Sequence, residues 1–164
     1  MAGKTSAGIL LYSKRNELEL LLVHPGGPFF KKKDEGAWSI PKGEYEDGED
    51  PAKAAIREFQ EELGIALESA GTYLGQIKQK GGKIVHSWAL PCDDARRALI
   101  ENIDIPGVCE KFELEWPPKS GKKTLFPEID QALFFDLQTA RMKINAAQLP
   151  FIDSLLEHLK TNGA

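Results

Sequence analysis

The chain contains little cysteine and little histidine, with two Cys and three His among its 164 residues. Two cysteines, Cys92 and Cys109, cannot build a disulfide framework, so we expect both to be small core residues in a reducing environment. His24, His86 and His158 show no spacing typical of metal ligands. We therefore assign none of the three histidines a role.

Long apolar runs and a signal-like N-terminus are also absent, which predicts a cytoplasmic protein with no membrane span. Repeats, low-complexity segments and interdomain linkers are lacking, so we predict that residues 1–164 form one domain with a buried core. The formal net charge of -4 gives no general attraction to nucleic acid. We expect no stable nucleic-acid partner, and either a monomer or a homodimer.

What the sequence does contain is a segment rich in glycine and glutamate at residues 43–65. Fixed spacings that helix propensity does not require separate its marked positions, which are Gly43, Glu49, Arg57, Glu58, Glu61, Glu62 and Gly64. Asp50 is a helix N-cap residue, Pro51 suits the first helical position, and Gly64 suits a left-handed end. This pattern predicts a helix over residues 51–63.

The predicted helix separates its apolar residues from its glutamates. At about 100° per residue, one apolar arc contains Ala52, Ala55, Ile56, Phe59 and Leu63. The adjoining arc contains Glu58, Glu61 and Glu62, with Ala54 among them. Like charges at this spacing repel unless a cation lies against them, and oxygen ligands favour magnesium or manganese over zinc. The alternative is a solvated acidic face on an ordinary amphipathic helix.

The segment resembles the Nudix box, in which Gly, five residues, Glu and seven residues precede Arg-Glu-apolar-any-Glu-Glu-any-Gly-apolar. Every specified position is met, and Phe59 stands where the family usually has an aliphatic residue. The resemblance implies an α/β fold of the Nudix type, an α/β/α sandwich with a mixed sheet and a loop-helix-loop catalytic box. The preceding segment WSIPKGE is similar to the approach to the box in diadenosine tetraphosphate hydrolases and diphosphoinositol polyphosphate phosphohydrolases. The segments FELEWPP and FPEIDQALFF are similar to those of a bacterial group of predicted Nudix pyrophosphohydrolases.

The resemblance also assigns roles to residues of the box. Glu58, Glu61 and Glu62, with the backbone carbonyl of Gly43, are the implied ligands of Mg²⁺ or Mn²⁺. Arg57 is implied to hold the carboxylates in place. Hydrolysis also needs a carboxylate that takes a proton from the attacking water. Glu58 is the first candidate for this base. Glu128 is the second, and it could instead be a distal metal ligand or an exposed loop acid.

Several lysines and aromatic residues could contact a phosphorylated substrate. Lys42 adjoins the box, and strand alternation would point Lys78 and Lys80 the same way. Lys31, Lys32, Lys33 and Lys83 could complete a positive rim, although exposed lysines of this kind usually have no such role. Among the aromatic residues, Trp38 and Trp88 are expected in the core. Phe29, Phe30 and Trp116 are possible base-stacking platforms.

The remaining pattern predicts alternating strands and helices. The predicted strands are 6–13, 18–24, 72–80, 83–90, 112–116 and 133–135, with a hairpin turn at residues 81–82 and a loop between the last two strands. Further helices are predicted over residues 93–101, 137–144 and 149–159.

Three functions remain open from the sequence. The first is a pyrophosphohydrolase that cleaves a nucleoside diphosphate linked to another moiety, with a dinucleoside polyphosphate or a nucleoside triphosphate as substrate. The second is hydrolysis of a diphosphoinositol polyphosphate or of a triphosphate 5′ end of RNA, for which more positive charge would be expected. The third is a non-catalytic Nudix ligand sensor, against which the intact box carboxylates argue.

Overall fold

The apolar runs of the chain form strands of a mixed sheet in the computed structural model, which describes residues 4–161. The strands are β1 (Thr5–Lys14), β2 (Leu18–Pro25), β3 (Lys42–Glu44), β4 (Thr72–Lys78), β5 (Ile84–Pro91), β6 (Lys111–Glu115), β7 (Lys123–Pro127) and β8 (Ile129–Asp136). Six of them form one sheet in the order β4-β5-β1-β2-β8, with β3 also paired to β1, and β6 pairs with β7 in a separate hairpin. Among these strand pairs of the described residues, β1–β5 is parallel and the others are antiparallel.

Helices cover both faces of this sheet. They are α1 (Pro51–Leu63), α2 (Asp94–Glu101), α3 (Ile105–Val108), α4 (Leu137–Lys143) and α5 (Leu149–Thr161). One apolar cluster joins the sheet to α1, α2 and α3, and a second joins it to α4 and α5. The expected α/β class, with a mixed sheet between helices, is therefore the observed architecture.

Strand β1 lies at the centre because it is apolar on both faces. Ile9 and Leu11 belong to the cluster under α1, whereas Leu10 and Tyr12 belong to the cluster under α4 and α5. Alternate side chains of a strand point to opposite faces, so a continuous apolar run suits a strand that is covered on both sides. The sequence therefore places this run where two cores meet.

The segment 38–44 lies between β1 and β2 and separates their ends. β1 pairs with β2 only over its last residues, from Tyr12 to Lys14, whereas its first part pairs with β3. Between these pairings, the amide of Ile9 donates to the carbonyl of Pro41 at 3.1 Å, and Val23 pairs with Ser39. This insertion places β3 beside α1 and opens the sheet at that point.

The local signals for α1 are confirmed. The Asp50 side chain accepts a hydrogen bond from the amide of Lys53 at 3.0 Å, and Pro51 is the first helical residue. Gly64 ends the helix with a φ of 71°, and its amide donates to the carbonyl of Gln60 at 2.7 Å. A left-handed terminal residue favours glycine because it has no Cβ.

Most predicted elements are present with small shifts in their ends, and three were missed. Strand β8 is longer than the predicted 133–135, and the expected loop after Trp116 contains β7. Residues of β7 are mostly exposed, so no alternation of apolar and polar residues marks it. Strand β3 is too short to carry a pattern, and α3 contains Pro106 and Gly107, which the sequence prediction treats as breakers.

The β4–β5 hairpin is confirmed, but its turn is longer than predicted. Strand β4 ends at Lys78, and a 3₁₀ turn follows over Lys80–Gly82. Both cysteines and Trp38 are buried as expected, and Trp88 is partly buried against the core. Within residues 4–161, no helix has the length and apolarity needed to cross a bilayer.

The capping contact of α1 generates a stability prediction. Asp50→Ala should lower the free energy of unfolding by about 1 kcal/mol, because an orphan amide of the first turn loses its acceptor. In a chain of this size the melting temperature should fall by about 2–4 °C. Asp47→Ala, in the exposed loop before the helix, should leave melting unchanged in the same calorimetric scan. Equal melting of the two variants would show that the cap contributes nothing.

Candidate active site

Helix α1, strand β3 and the ends of β2 and β8 enclose a pocket of about 450 Å³. Its charged lining residues are Lys42, Glu44, Glu58, Glu61, Glu62, Lys83, Glu110 and Glu128. Gly43 lies among them, and Val23, Pro25, Ser39, Ile40 and Ile129 complete the lining. The structure therefore brings the three box glutamates of α1 to one pocket with Gly43, Lys42 and Glu128.

The glutamates face the pocket because α1 is rotated relative to the arc expected from the sequence. Ala54, placed with the glutamates in that arc, is fully buried, whereas Ile56 is only partly buried. The side chains of Glu58 and Glu61 retain 14% and 28% exposure, so they do not lie on a solvated face. The structure thus contradicts a solvated acidic face for the helix.

Gly43 makes room for a carboxylate. A Cβ at this position would collide with the Oε2 atom of Glu58, so the carboxylate lies directly against the glycine backbone. Gly43 is paired with Ala7 of β1, which fixes its position relative to the sheet. The glycine therefore lets the Glu58 carboxylate lie against the β3 backbone, and a side chain at this position would displace that carboxylate.

Arg57 ties the acidic side chains together. Its Nε and Nη2 atoms donate to the two carboxylate oxygens of Glu49 at 2.8 and 3.0 Å. Its Nη1 atom donates to Glu58 at 2.8 Å and to both oxygens of Glu61 at 3.0 Å. These contacts raise the pKa of Arg57, with Glu49 as the main cause, and lower the pKa of Glu49. One guanidinium thus orients three glutamates.

Glu62 is the least solvated of the box carboxylates. Its Oε2 atom is buried and has no hydrogen-bond partner within residues 4–161. Burial raises the pKa of Glu62 well above its usual value, Lys42 opposes this shift, and Glu58 and Glu128 add to it. An unpaired buried oxygen costs free energy, which a bound cation would offset.

Glu58 is also poised for proton transfer. Burial, followed by repulsion from Glu61, raises the pKa of Glu58 to about 7, and Arg57 opposes the shift. A carboxylate with a pKa near neutrality is suited to act as a general base. The same residue is therefore a candidate for ligand and base.

Two lysines supply positive charge to the pocket. Lys42 has a lowered pKa, with burial as the main cause and Lys83 as the second. The ammonium of Lys83 lies 3.4 Å from the Glu44 carboxylate. Sequence reasoning included Lys83 only in a general positive rim, since its place beside Lys42 depends on the pairing of β1 with β3 and β5.

The structure does not bring Lys78 and Lys80 into the pocket lining of the described chain. Lys80 belongs to the 3₁₀ turn after β4, so alternation along a strand does not determine its direction. The strand alternation used to predict a common direction for Lys78 and Lys80 therefore does not extend to Lys80. Lys31, Lys32 and Lys33 are exposed in the loop after β2.

Glu128 is an exposed residue of the pocket lining. Burial, and then the charge of Glu110, raises the pKa of Glu128. Glu110 also lines the pocket, and its carbonyl accepts from the Glu128 amide at 2.9 Å. Sequence reasoning missed Glu110, because only the pairing of β6 with β7 brings residues 110 and 128 together.

The donor set is chemically suited to a hard divalent cation. All the acidic groups present carboxylate oxygens, and one of them, on Glu62, is buried without a partner. The His, Cys, Asp and Glu side chains of residues 4–161 nevertheless form no ready cluster of three at metal-binding geometry. Arg57 occupies oxygens of Glu58 and Glu61, so these side chains would rearrange around a cation.

A mixed sheet between helices, with an acidic loop-helix-loop at its opening, defines the class of this protein. The family model of the NUDIX domain matches residues 3–155, and the chain belongs to the Nudix family. Hydrolases of this family generally use divalent metal ions. The resemblance read from the box is therefore confirmed.

The similarity to individual curated proteins is short. The chain is 63% identical to Nudix hydrolase 25 of Arabidopsis thaliana over 30 residues, which are 18% of this chain and 17% of that protein. It is 56% identical to the RNA pyrophosphohydrolase of Dinoroseobacter shibae over 32 residues, 20% of each chain. The chain thus spans about a fifth of the length of these relatives.

Among solved structures, the fold is similar to a binary complex of the C. elegans Ap4A hydrolase. The TM-score is 0.61 at 22% identity, and the match covers 96% of this chain and 98% of that one. At this identity the likeness concerns the fold.

The shifted pKa of Glu58 generates a prediction for chelator-treated protein. Folding raises the pKa of the Glu58 carboxyl from 4.5 to about 7. The protonated carboxyl therefore stabilises the fold at pH values below 4.5, and this contribution is lost as the pH rises through about 7. Between about pH 5 and pH 8, the melting temperature of the wild type should therefore fall relative to that of Glu58→Gln.

The control for this titration is Glu17→Gln, which changes an exposed acid in the turn after β1. Its melting temperature should follow that of the wild type at each pH. Parallel curves for the wild type and Glu58→Gln would contradict the proposed titration of Glu58.

Proposed function

We propose that the protein is a metal-dependent hydrolase that cleaves a pyrophosphate bond in a nucleoside diphosphate linked to another moiety. The observation that carries this proposal is the convergence of Glu58, Glu61 and Glu62 with Gly43 in one pocket, where an oxygen of Glu62 is buried without a partner. A ligand sensor would not require this arrangement. The intact acidic site thus supports catalysis.

Glu58, Glu61, Glu62 and the carbonyl of Gly43 would hold the metal, with Mg²⁺ or Mn²⁺ as the ions suited to oxygen ligands. Such a cation offsets phosphate charge and supplies an activated water when bound. Arg57 orients Glu58 and Glu61 through the contacts described above. Its loss should therefore disturb the ligand set without removing a ligand.

A carboxylate of the pocket would accept the proton of the attacking water. Glu58 is the first candidate, because its pKa of about 7 allows it to accept a proton near neutral pH. Glu128 is the second, since it also lines the pocket and burial raises its pKa. It could alternatively extend the metal site.

We favour a dinucleoside polyphosphate, or a nucleoside triphosphate, as the substrate. The full-length structural likeness to an Ap4A hydrolase and the similar WSIPKGE approach to the box support this choice. The short match to an RNA pyrophosphohydrolase supports a triphosphate 5′ end of RNA as the alternative. The net charge of -4 favours the small nucleotide.

The central test is an assay with Mg²⁺ or Mn²⁺ on dinucleoside polyphosphates, nucleoside triphosphates, ADP-ribose, inositol pyrophosphates and triphosphorylated RNA. The wild type should hydrolyse a dinucleoside polyphosphate or a nucleoside triphosphate, and Glu62→Gln should be nearly inactive. Without metal, Glu62→Gln should melt at or slightly above the wild-type temperature, because the amide replaces a carboxyl whose ionised form burial disfavours. It should lose most of the melting increase that Mn²⁺ gives the wild type.

Glu17→Gln is the matched control and should behave as the wild type in all three measurements. An active Glu62→Gln protein with the full Mn²⁺ shift would contradict the metal site. Turnover of none of the compounds would favour the sensor function.

The pocket lysines generate a second prediction. Lys83→Ala should raise the Michaelis constant on the order of tenfold, because a charge-assisted contact contributes about 1.5–3 kcal/mol. The effect should be larger for longer polyphosphates, whose additional charge the lysine offsets. Lys80→Ala, in the turn outside the pocket lining, is the control and should change the constant little. Equal effects of the two variants would refute the placement of Lys83.

A further inference from the structure

Two segments lie side by side next to one edge of the pocket. The loop 26–33 follows Pro25, which lines the pocket, and the β6–β7 hairpin lies between the lining residues Glu110 and Glu128. We call these two segments the loop–hairpin wall. Both parts of the wall therefore adjoin residues that line the pocket.

Close packing fixes the two parts of the wall to each other. The amide of Gly26 donates to the carbonyl of Glu128 at 2.9 Å, and a Cβ on Gly26 would collide with the carbonyl of Pro127. Gly27 has a φ of 91°, and a Cβ there would lie 2.8 Å from the Phe112 ring. The base of the loop is therefore held against the hairpin.

The other end of the loop is held by buried His24. Its ring nitrogens lie 2.8 Å from the Asp130 carboxylate and 2.6 Å from the carbonyl of Lys33. Both ends of loop 26–33 are thus attached to the strands that border the pocket. Its outer residues are presented on a fixed base.

The outer surface of the wall is aromatic. Phe29 is 60% exposed, and its ring lies 5.5 Å from that of Trp116 in an edge arrangement of 82°. This contact orients Phe29 while most of its surface remains free. Hydration of an exposed aromatic ring is unfavourable. A ring that is held in one orientation is therefore suited to stack against another flat group.

The wall is also basic, in contrast to the pocket. Residues 26–33 and 111–127 contain seven lysines and two glutamates, and six of the lysines but neither glutamate lie in the loops 26–33 and 116–123. Within residues 4–161, Lys31, Lys32, Lys119 and Lys122 form no salt bridge with a carboxylate, whereas Lys123 lies 3.6 Å from Glu113. Six glutamates line the adjacent pocket against two lysines. An anionic group outside the metal site would therefore be attracted to the wall and not to the pocket.

We propose that the loop–hairpin wall binds the nucleoside phosphate half of the substrate that lies outside the metal site. Its base stacks on Phe29 beside Trp116, and its phosphates lie near Lys31 and Lys32. A flat base joined to phosphate is the chemistry that matches an exposed aromatic ring surrounded by unpaired lysines. This inference rests on the proposed function for its choice of substrate, but its test does not require turnover.

The test measures binding of ADP, and of pyrophosphate as the anion without a base, to the full chain in chelator by calorimetry. Phe29→Ala should weaken ADP binding on the order of tenfold or more and leave pyrophosphate binding unchanged. Lys31→Glu combined with Lys32→Glu should weaken both ligands. ADP should change the tryptophan fluorescence of the wild type, and Trp116→Phe should remove that change.

Two matched controls lie away from the wall. Leu99→Ala removes an apolar side chain of the same 60% exposure from α2, and Lys160→Glu reverses an exposed charge on α5. Neither should alter binding. Equal ADP affinity in Phe29→Ala and Leu99→Ala, or no ADP binding to the wild type, would overturn the proposal. If ADP binds at Phe29 but the protein hydrolyses none of the compounds in the activity assay, the binding role of the wall is supported and the proposed catalytic function is rejected.

Discussion

The contact between the Gly43 backbone and the Glu58 carboxylate determines the geometry of the site. It joins β3 to α1 at a point where a side chain on residue 43 would displace the carboxylate. Strand β3 reaches this point because residues 38–44 lie between β1 and β2, where Pro41 accepts from Ile9. The pocket therefore results from a sheet that is opened on one side of its central strand, with the acidic helix placed over the opening.

Charge balance is the second constraint. Six glutamates and two lysines line one pocket, and Arg57 neutralises part of this charge by bonding Glu49, Glu58 and Glu61. Burial is the largest cause of the raised pKa of Glu58 and of Glu62, and neighbouring glutamates add to both shifts. If the proposed divalent ion binds these carboxylates, it also stabilises the fold, because a ligand that binds only the folded state shifts the folding equilibrium.

The pocket and the loop–hairpin wall beside it differ in the sign of their charge and in their chemistry. The pocket is acidic and would attract a polyphosphate only through a cation, whereas the lysines of loop 26–33 and of the β6–β7 hairpin can attract an anion directly. This division suits a substrate with a reacting phosphate at one end and a nucleoside at the other. Electrostatic complementarity of this kind contributes more to specificity and orientation than to affinity.

Local signals in the sequence were sufficient for α1 and for most strands. Asp50, Pro51 and Gly64 act within a few residues of one another, so their effect needs no tertiary information. The apolar run at residues 6–13 predicted strand β1 for the same reason, and the structure shows that both faces of this strand are covered. Strand β7 was missed because its residues are largely exposed and its partner β6 is the main reason that it is extended.

The sequence by itself determined the α/β class, the family and the acidic helix, because each follows from spacing within a short segment. Tertiary structure decided which charged residues share the pocket. Lys83 joins Lys42 through the pairing of β1 with β3 and β5, and Glu110 joins Glu128 through the β6–β7 hairpin. These pairs are 41 and 18 residues apart in the sequence, and contacts at such separations depend on strand register, which no local pattern encodes.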